Sequence, residues 1–216
     1  MTTDISEGCA LRDETDTGAS ARPAGDRARK RLLLGLGLAL VGVALVVLAR
    51  PALDNIHVVV PGTVFRSAQL SPQRLDALIA THHLNAVLNL RGPSPGAAWY
   101  DDEVATTARL GVRHIDFKLS AVREVPVPVA EQLVHLLEQL PMPLLIHCQA
   151  GADRTGLASA LYRYAIVGTD ADEAADQLSV LYGHVPFFRS GTAAMDRSFW
   201  EYVRAHPQTL PRSSVE

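Results

Sequence analysis

The stretch LLIHCQAGADRTG, residues 144–156, places Cys148, Gly151, Arg154 and Thr155 within eight positions. A cysteine becomes a strong nucleophile only as the thiolate, so it needs positive surroundings. Arginine presents a planar fork of N–H donors that matches the oxygens of a phosphate. The apolar run Leu144 to Ile146 reads as a buried strand ending at His147, with a helix starting near Arg154. Residues Gln149, Ala150, Gly151, Ala152 and Asp153 then curl over the N-terminus of that helix. Backbone N–H groups there lack intrahelical partners and the macrodipole is positive, which makes an anion site. Gly151 permits the tight curvature such a cradle requires. Thr155 can offer its hydroxyl to the Cys148 sulfur.

The remainder of the chain supplies what must hold this loop. The formal net charge is −3 with a pI near 6.2, which leaves no electrostatic footprint for nucleic acid. The two cysteines, Cys9 and Cys148, lie on either side of a long apolar run, so Cys148 is read as chemical rather than as half of a structural disulfide. Residues 1–31 mix acids and bases without apolar periodicity and are expected to be disordered. They end in the basic cluster Arg27 to Arg31. Leu32 to Ala49 then runs 18 residues without a charge, about 27 Å as a helix and enough to cross a bilayer. This reads as a transmembrane anchor, with a cleaved signal peptide as the alternative. The basic residues ahead of it place the N-terminus in the cytoplasm and the following domain on the extracytoplasmic side.

Strands and helices alternate over residues 56–206. The sequence predicts a β-rich entry around Pro61-Gly62, a helix capped by Ser71 and Pro72, and a strand at NAVLNLR. A helix closed by Gly111, the strand RHIDFKL, the helix PVAEQLVHLLEQL and the strand delivering Cys148 follow. Three helices are expected after it, Thr155–Val167, Asp170–Tyr182 and Ala193–His206, and residues 207–216 form a flexible tail. The pattern implies an α/β fold with a mainly parallel central sheet flanked by helices, preceded by the one transmembrane helix.

The loop resembles the P-loop of cysteine-dependent protein tyrosine and dual-specificity phosphatases, whose pattern is His-Cys, five residues, Arg, then Ser or Thr. His147, Cys148, Gly151, Arg154 and Thr155 satisfy it. VFRSAQLSP, AVLNLRG and GVRHIDFKLSA look like the corresponding segments of a compact bacterial and fungal dual-specificity branch. The resemblance implies attack by Cys148 on phosphorus, charge stabilisation by Arg154 and the loop amides, and hydrolysis of a phosphocysteine. It implies no metal and no cofactor, because Arg154 and the helix terminus supply the positive charge.

In one position the chain departs from the pattern. Matching FKLSA to the family places Ala121 where an aspartate serves as general acid, and alanine has no proton to give. The replacements are Asp153, where myotubularin-like and Sac-type phosphatases carry an aspartate, then Glu124 on the Ala121 loop, then Asp116. Each carboxylate could equally sit in a salt bridge. Arg66 and Arg91 end strands and either reach the substrate or pair with an acid, while Trp99 and Tyr100 form a pocket wall or simply pack. The expected substrate is a phosphorylated protein. A lipid phosphate is the alternative, with the membrane as partner through residues 32–49. A tethered pseudophosphatase that binds without turnover is the rival class. Neutral and acidic residues at Gln149, Ala150, Ala152 and Asp153 argue against heavily phosphorylated ligands.

Overall fold

In the computed structural model, the described residues are 24–49, 54–185 and 193–208. The chain divides into two compact units, Met1–Ala44 and Leu45–Glu216. The first helix, α1, spans Ala24–Ala49. Helix begins at Ala24, within the 1–31 stretch expected to be disordered, and residues 1–23 lie outside the described ones. Leu32, Leu33, Leu34, Leu36, Leu38, Leu40, Val41 and Val43 are all exposed on α1. Among the described residues no helix is long and apolar enough to cross a membrane. Side chains of α1 are described only as far as Ala44, so the last five residues of the expected 32–49 anchor fall outside that statement.

In the second unit a five-stranded sheet comprises β1 (His57–Val60), β2 (Val64–Ser67), β3 (Ala86–Asn89), β4 (Arg113–Asp116) and β5 (Leu144–His147). Their order is β1-β2-β5-β3-β4, with only the β1–β2 hairpin antiparallel. The helices are α2 (Pro72–His82), α3 (Ala98–Arg109), α4 (Val127–Gln139), α5 (Asp153–Leu161), α6 (Ala171–Ala175) and α7 (Ala193–Ala205). Alternation along the strands separates two cores. Val64, Leu88, Leu144 and Ile146 pack on Leu133 and Leu137 of α4, Leu157 and Leu161 of α5, and Phe199 of α7. Phe65, Val87 and Leu145 face the other way, onto Leu75, Leu78 and Ile79 of α2. The helix α2 starts as the sequence predicts, with Ser71 accepting from the Arg74 amide and Pro72 in the first turn.

The four parallel strands end in register, with Ser67, His147, Asn89 and Asp116 side by side. A parallel sheet offers ligands the crevice beyond its carboxyl ends, where the strand order reverses. The central strand β5 delivers Cys148 to that edge.

Beyond β5 two of the expected helices are corrected. Thr155–Val167 divides into α5 and a π-helical turn, Tyr162–Val167, closed by Gly168 at φ +79°. Asp170–Tyr182 shrinks to α6 and a 3₁₀ turn, Val180–Tyr182. The interruption has a cause. The Gln177 carbonyl accepts from the Arg66 guanidinium, and a Cβ on Gly156 would meet that carbonyl at 2.8 Å. The chain leaves the helical path to make this contact. Of the expected tail, 207–216, Gln208 donates to the Tyr164 and Thr169 carbonyls, and residues 209–216 lie outside the described ones.

Candidate active site

Cys148 is buried at 3% exposure, one residue beyond β5. The loop that follows is held from outside by its carbonyls. The Gln69 amide donates to the Gln149 carbonyl at 3.2 Å. Asn55 Nδ2 donates to the Ala150 carbonyl at 2.9 Å and to that of Tyr182 at the same distance. Arg66 Nη2 donates to the carbonyls of Gly151 (2.8 Å) and Ala152 (3.3 Å). In a trans peptide the N–H points opposite to the preceding C=O. Four carbonyls pulled outward therefore turn the amides of Ala150, Gly151, Ala152 and Asp153 toward the concave side. Among the described residues no acceptor takes these amides. Gly151, at φ +68°, is compulsory here, since a Cβ would lie 2.6 Å from the backbone of Ser67 and Ala68.

Arg154 borders this hollow. Its one hydrogen bond, Nη1 to the Leu90 carbonyl, is long at 3.4 Å, and its Nε has no partner among the described residues. The buried Thr155 hydroxyl is likewise unpaired. Both keep donors for a ligand. The loop thus combines a sulfur, a ring of inward amides and a guanidinium, a set that can bind a tetrahedral oxyanion and attack it.

His147 is fixed behind the nucleophile. Its Nδ1 lies 3.4 Å from the Cys148 carbonyl and its Nε2 3.1 Å from Glu103 Oε1. The same carboxylate oxygen meets His114 Nε2 at 2.8 Å, and Oε2 accepts from Gln69 Nε2 at 2.5 Å. Burial works against the charge on Glu103, but the positive charge of His147 and hydrogen bonds from His114, His147 and Gln69 outweigh it, holding the carboxyl at about 2. The sequence reading missed Glu103; a carboxylate on an otherwise packing face of α3, beside Thr106 and Thr107, was the available signal.

Arg66, left open between substrate and acid, takes neither role and braces the loop through carbonyls and Gln177. It is fully buried, with Nη1 on the Gln177 carbonyl (2.8 Å) and Oε1 (2.9 Å), and its guanidinium lies 3.9 Å from the centre of the Tyr182 ring. Burial pulls it down to about 10, partly countered by Tyr182 and Cys148. Arg91 stays half-exposed and pairs with no acid among the described residues. Trp99 lies under its guanidinium at 3.3 Å, and Tyr100 donates to Asp116 Oδ2 at 2.6 Å.

The three candidate acids are not equivalent. Asp153 Oδ1 is 2.7 Å from His184 Nδ1, and His184 Nε2 is 2.8 Å from Asp196 on α7. Burial disfavours the imidazolium, but its hydrogen bonds to Asp153 and Asp196, with their charges, raise His184 to about 9. Asp153 thus sits in a clamp between α5 and α7. Asp116 accepts from both Asn89 and Tyr100. Glu124 is exposed and pairs with the exposed Arg197. It lines a cavity of about 300 Å³ with Lys118, Ser120 and Arg123.

Comparison with known proteins agrees with this geometry. A model described as the tyrosine phosphatase family matches residues 49–179. No curated protein matches the chain. Among solved structures, Pseudomonas aeruginosa TpbA, a cysteine-to-serine form in complex with phosphotyrosine, is similar at 23% identity and TM-score 0.52, covering 71% of this chain and 92% of its own. The catalytic core of the PP-IP phosphatase SIW14 of Saccharomyces cerevisiae, in complex with citrate, is similar at 20% identity and TM-score 0.53, with 69% and 85% covered. Tk-PTP follows at 16% and 0.53, with 69% and 97% covered. At these identities the structures speak for the fold. The family match, spanning more than half the chain and including the whole loop that carries Cys148 and Arg154, speaks for the kind of enzyme: the chain belongs to the tyrosine phosphatase family.

Proposed function

We propose that this phosphatase hydrolyses phosphate monoesters of the phosphotyrosine and dual-specificity type through a phosphocysteine at Cys148. The observation that carries this reading is the outward tethering of four successive carbonyls, which turns the loop amides into the hollow that Arg154 borders, next to Cys148. The Cys148 thiolate attacks phosphorus and the P–O bond to the leaving group breaks. The loop amides and Arg154 take the charge on the equatorial oxygens, while Thr155 steadies the sulfur. Water then attacks phosphorus, the S–P bond breaks, and phosphate and thiolate are released. Gln149, Ala150, Gly151 and Ala152 line the phosphate, and His147 orients the strand end that carries the nucleophile.

We assign proton donation to Glu124 ahead of Asp153. The Asp153 carboxylate is committed to a buried imidazolium, which leaves it a positioning role. The Glu124–Arg197 pair is exposed on both sides, and such pairs contribute about 0–1 kcal/mol, so releasing it costs little. A binding-only role is the second reading, favoured by the partners that all three carboxylates already have. The phosphotyrosine bound to TpbA supports a phosphotyrosyl substrate, with lipid phosphate as the alternative.

We further propose that residues 32–49 anchor the chain in a membrane, N-terminus cytoplasmic and catalytic unit on the extracytoplasmic side. The exposed leucines of α1 and the basic cluster before them support this.

The test is hydrolysis of p-nitrophenyl phosphate by the full chain, without metal and under reducing conditions, with Cys148→Ser and vanadate as controls. Turnover lost in the variant and competed by vanadate supports the mechanism. Vanadate binding without turnover supports the binding-only role.

A further inference from the structure

One cation near the P-loop has no role in the mechanism above. Arg91 follows β3, and its backbone is fixed from within: its amide donates to Asn89 Oδ1 at 2.9 Å, and the fully buried Asn89 side chain also donates to the Gly92 carbonyl and Asp116. The side chain is fixed as well. Trp99 lies beneath the guanidinium, and Nη1 donates to Gln69 Oε1 at 3.0 Å. Gln69 cannot rotate freely, because its other end donates to the buried Glu103, the carboxylate that holds His147. One chain of contacts thus aligns the strand end bearing the nucleophile and the Arg91 guanidinium. Glu103 attracts Arg91 from a distance but forms no ion pair with it, its oxygens being taken by two histidines and Gln69.

Arg91 also lies within the electrostatic reach of Arg154 and Cys148: after burial, repulsion from Arg154 is the next influence depressing it, while Glu103 and then Cys148 raise it. Two further cations, with the Glu124 carboxylate beside them, line the neighbouring cavity. The Leu90 carbonyl, next to Arg91 in the chain, accepts from both Arg154 Nη1 and the Leu119 amide. Leu119 borders the cavity that Lys118 and Arg123 line, and a Cβ on Gly92 would lie 2.6 Å from Lys118 Cβ. Two guanidiniums held close together repel, and among the described residues neither has a carboxylate in direct contact, so a ligand anion joining them is favoured.

We propose that Arg91 forms a second oxyanion subsite beside the P-loop, selecting substrates that carry another anionic group next to the scissile phosphate. The subsite rests on the reading that the loop from Cys148 to Arg154 binds that phosphate. A second phosphate of a small molecule and an acidic side chain flanking a phosphotyrosine share the required chemistry.

The experiment measures binding to full-length Cys148→Ser protein, with and without Arg91→Met, by tryptophan fluorescence. The probes are orthophosphate against pyrophosphate, and phosphotyrosyl peptides with aspartate against asparagine neighbours. In at least one pair the two-anion probe binds about tenfold tighter, the worth of one charge-assisted hydrogen-bonded pair. Arg91→Met abolishes that ratio while leaving orthophosphate affinity within about threefold, since the P-loop contacts that bind it are intact. Arg91→Lys keeps part of the ratio, which separates lost charge from lost packing. The pair that responds identifies the source of the second anion. No advantage in either pair, an advantage that survives Arg91→Met, or an equal loss for both members of a pair overturns the subsite. Because the ratio is read without turnover, it stands apart from the activity assay: an inactive wild type that keeps the ratio refutes catalysis alone. A protein that binds no orthophosphate refutes cradle and subsite together.

Discussion

The P-loop and the loop between β4 and α4 lie at the same edge of the sheet yet are built on opposite terms. Every carbonyl from Gln149 to Ala152 is tied to a donor from another part of the chain, two of them to the fully buried Arg66. The loop of residues 117–126 is tied only near its ends, by the Phe117 and Leu119 amides to the Asn89 and Leu90 carbonyls and by the Val125 amide to Ser198. Between them Glu124 sits in an exposed ion pair and Ser120 bonds amides two and three residues on. Preorganisation pays most where charge accumulates in the transition state, and a proton donor must instead move with its leaving group. The contrast teaches that phosphate binding here is over-determined while proton transfer is left adaptable.

The sharpest test of that contrast is Cys148→Ser. It is expected to lower turnover at least about 10⁴-fold, as loss of a nucleophile does, while vanadate or phosphate affinity persists. Loss of both in a folded variant would show that the cradle depends on the sulfur and not on its tethers.

Arg66→Met attacks the tethers themselves. It leaves the carbonyls of Gly151, Ala152 and Gln177 without their buried donor, and should cost about 3–5 kcal/mol in urea unfolding, with kcat/KM down about 10²-fold. A variant that loses stability but keeps kcat/KM would mean the loop holds its shape without Arg66.

The His184 clamp gives the P-loop helix a pH signature. Its pKa of about 9 in the fold exceeds the ordinary 6.5, so its contribution is complete below about 6.5 and is lost as pH rises through 9. That contribution is up to about 3 kcal/mol. Unfolding free energies of wild type and His184→Gln should therefore converge between pH 6 and pH 10. A gap of constant size would remove the imidazolium from the account.

Glu124→Gln addresses the adaptable loop and should have the narrowest effect. Turnover of an alkyl phosphate falls about 10²-fold, while p-nitrophenyl phosphate, with its good leaving group, changes by less than about threefold. Equal effects on both substrates would place the proton donor elsewhere.

What the sequence discloses follows the same division. Cys148, Gly151, Arg154 and Thr155 are legible because the chemistry is local, confined to one strand end and one helix start. The Ser71 cap and the strand alternation are legible for the same reason. The tethers are not, because Asn55 reaches 95 residues along the chain to Ala150, and Arg66 reaches 85 to Gly151. No periodicity spans such separations. A faint signal existed in VFRS, where an arginine stands in a strand buried at every position and so must have partners of its own. The missed break after α6 has the same origin, since the Gln177 carbonyl answers Arg66 and not its own helix. His184 and Asp196, 31 and 43 positions beyond Asp153, complete their clamp only once α7 packs against α5.

Because the cradle is shaped entirely by main-chain acceptors, the side chains at Gln149 and Ala150, both exposed, carry no structural duty. They are free letters in a fixed frame. Lysine or arginine at either position would redraw the preference for substrate charge while the catalytic geometry stayed intact. A lineage of such enzymes can therefore diversify its substrates by changing two residues without passing through an unfolded or inactive intermediate.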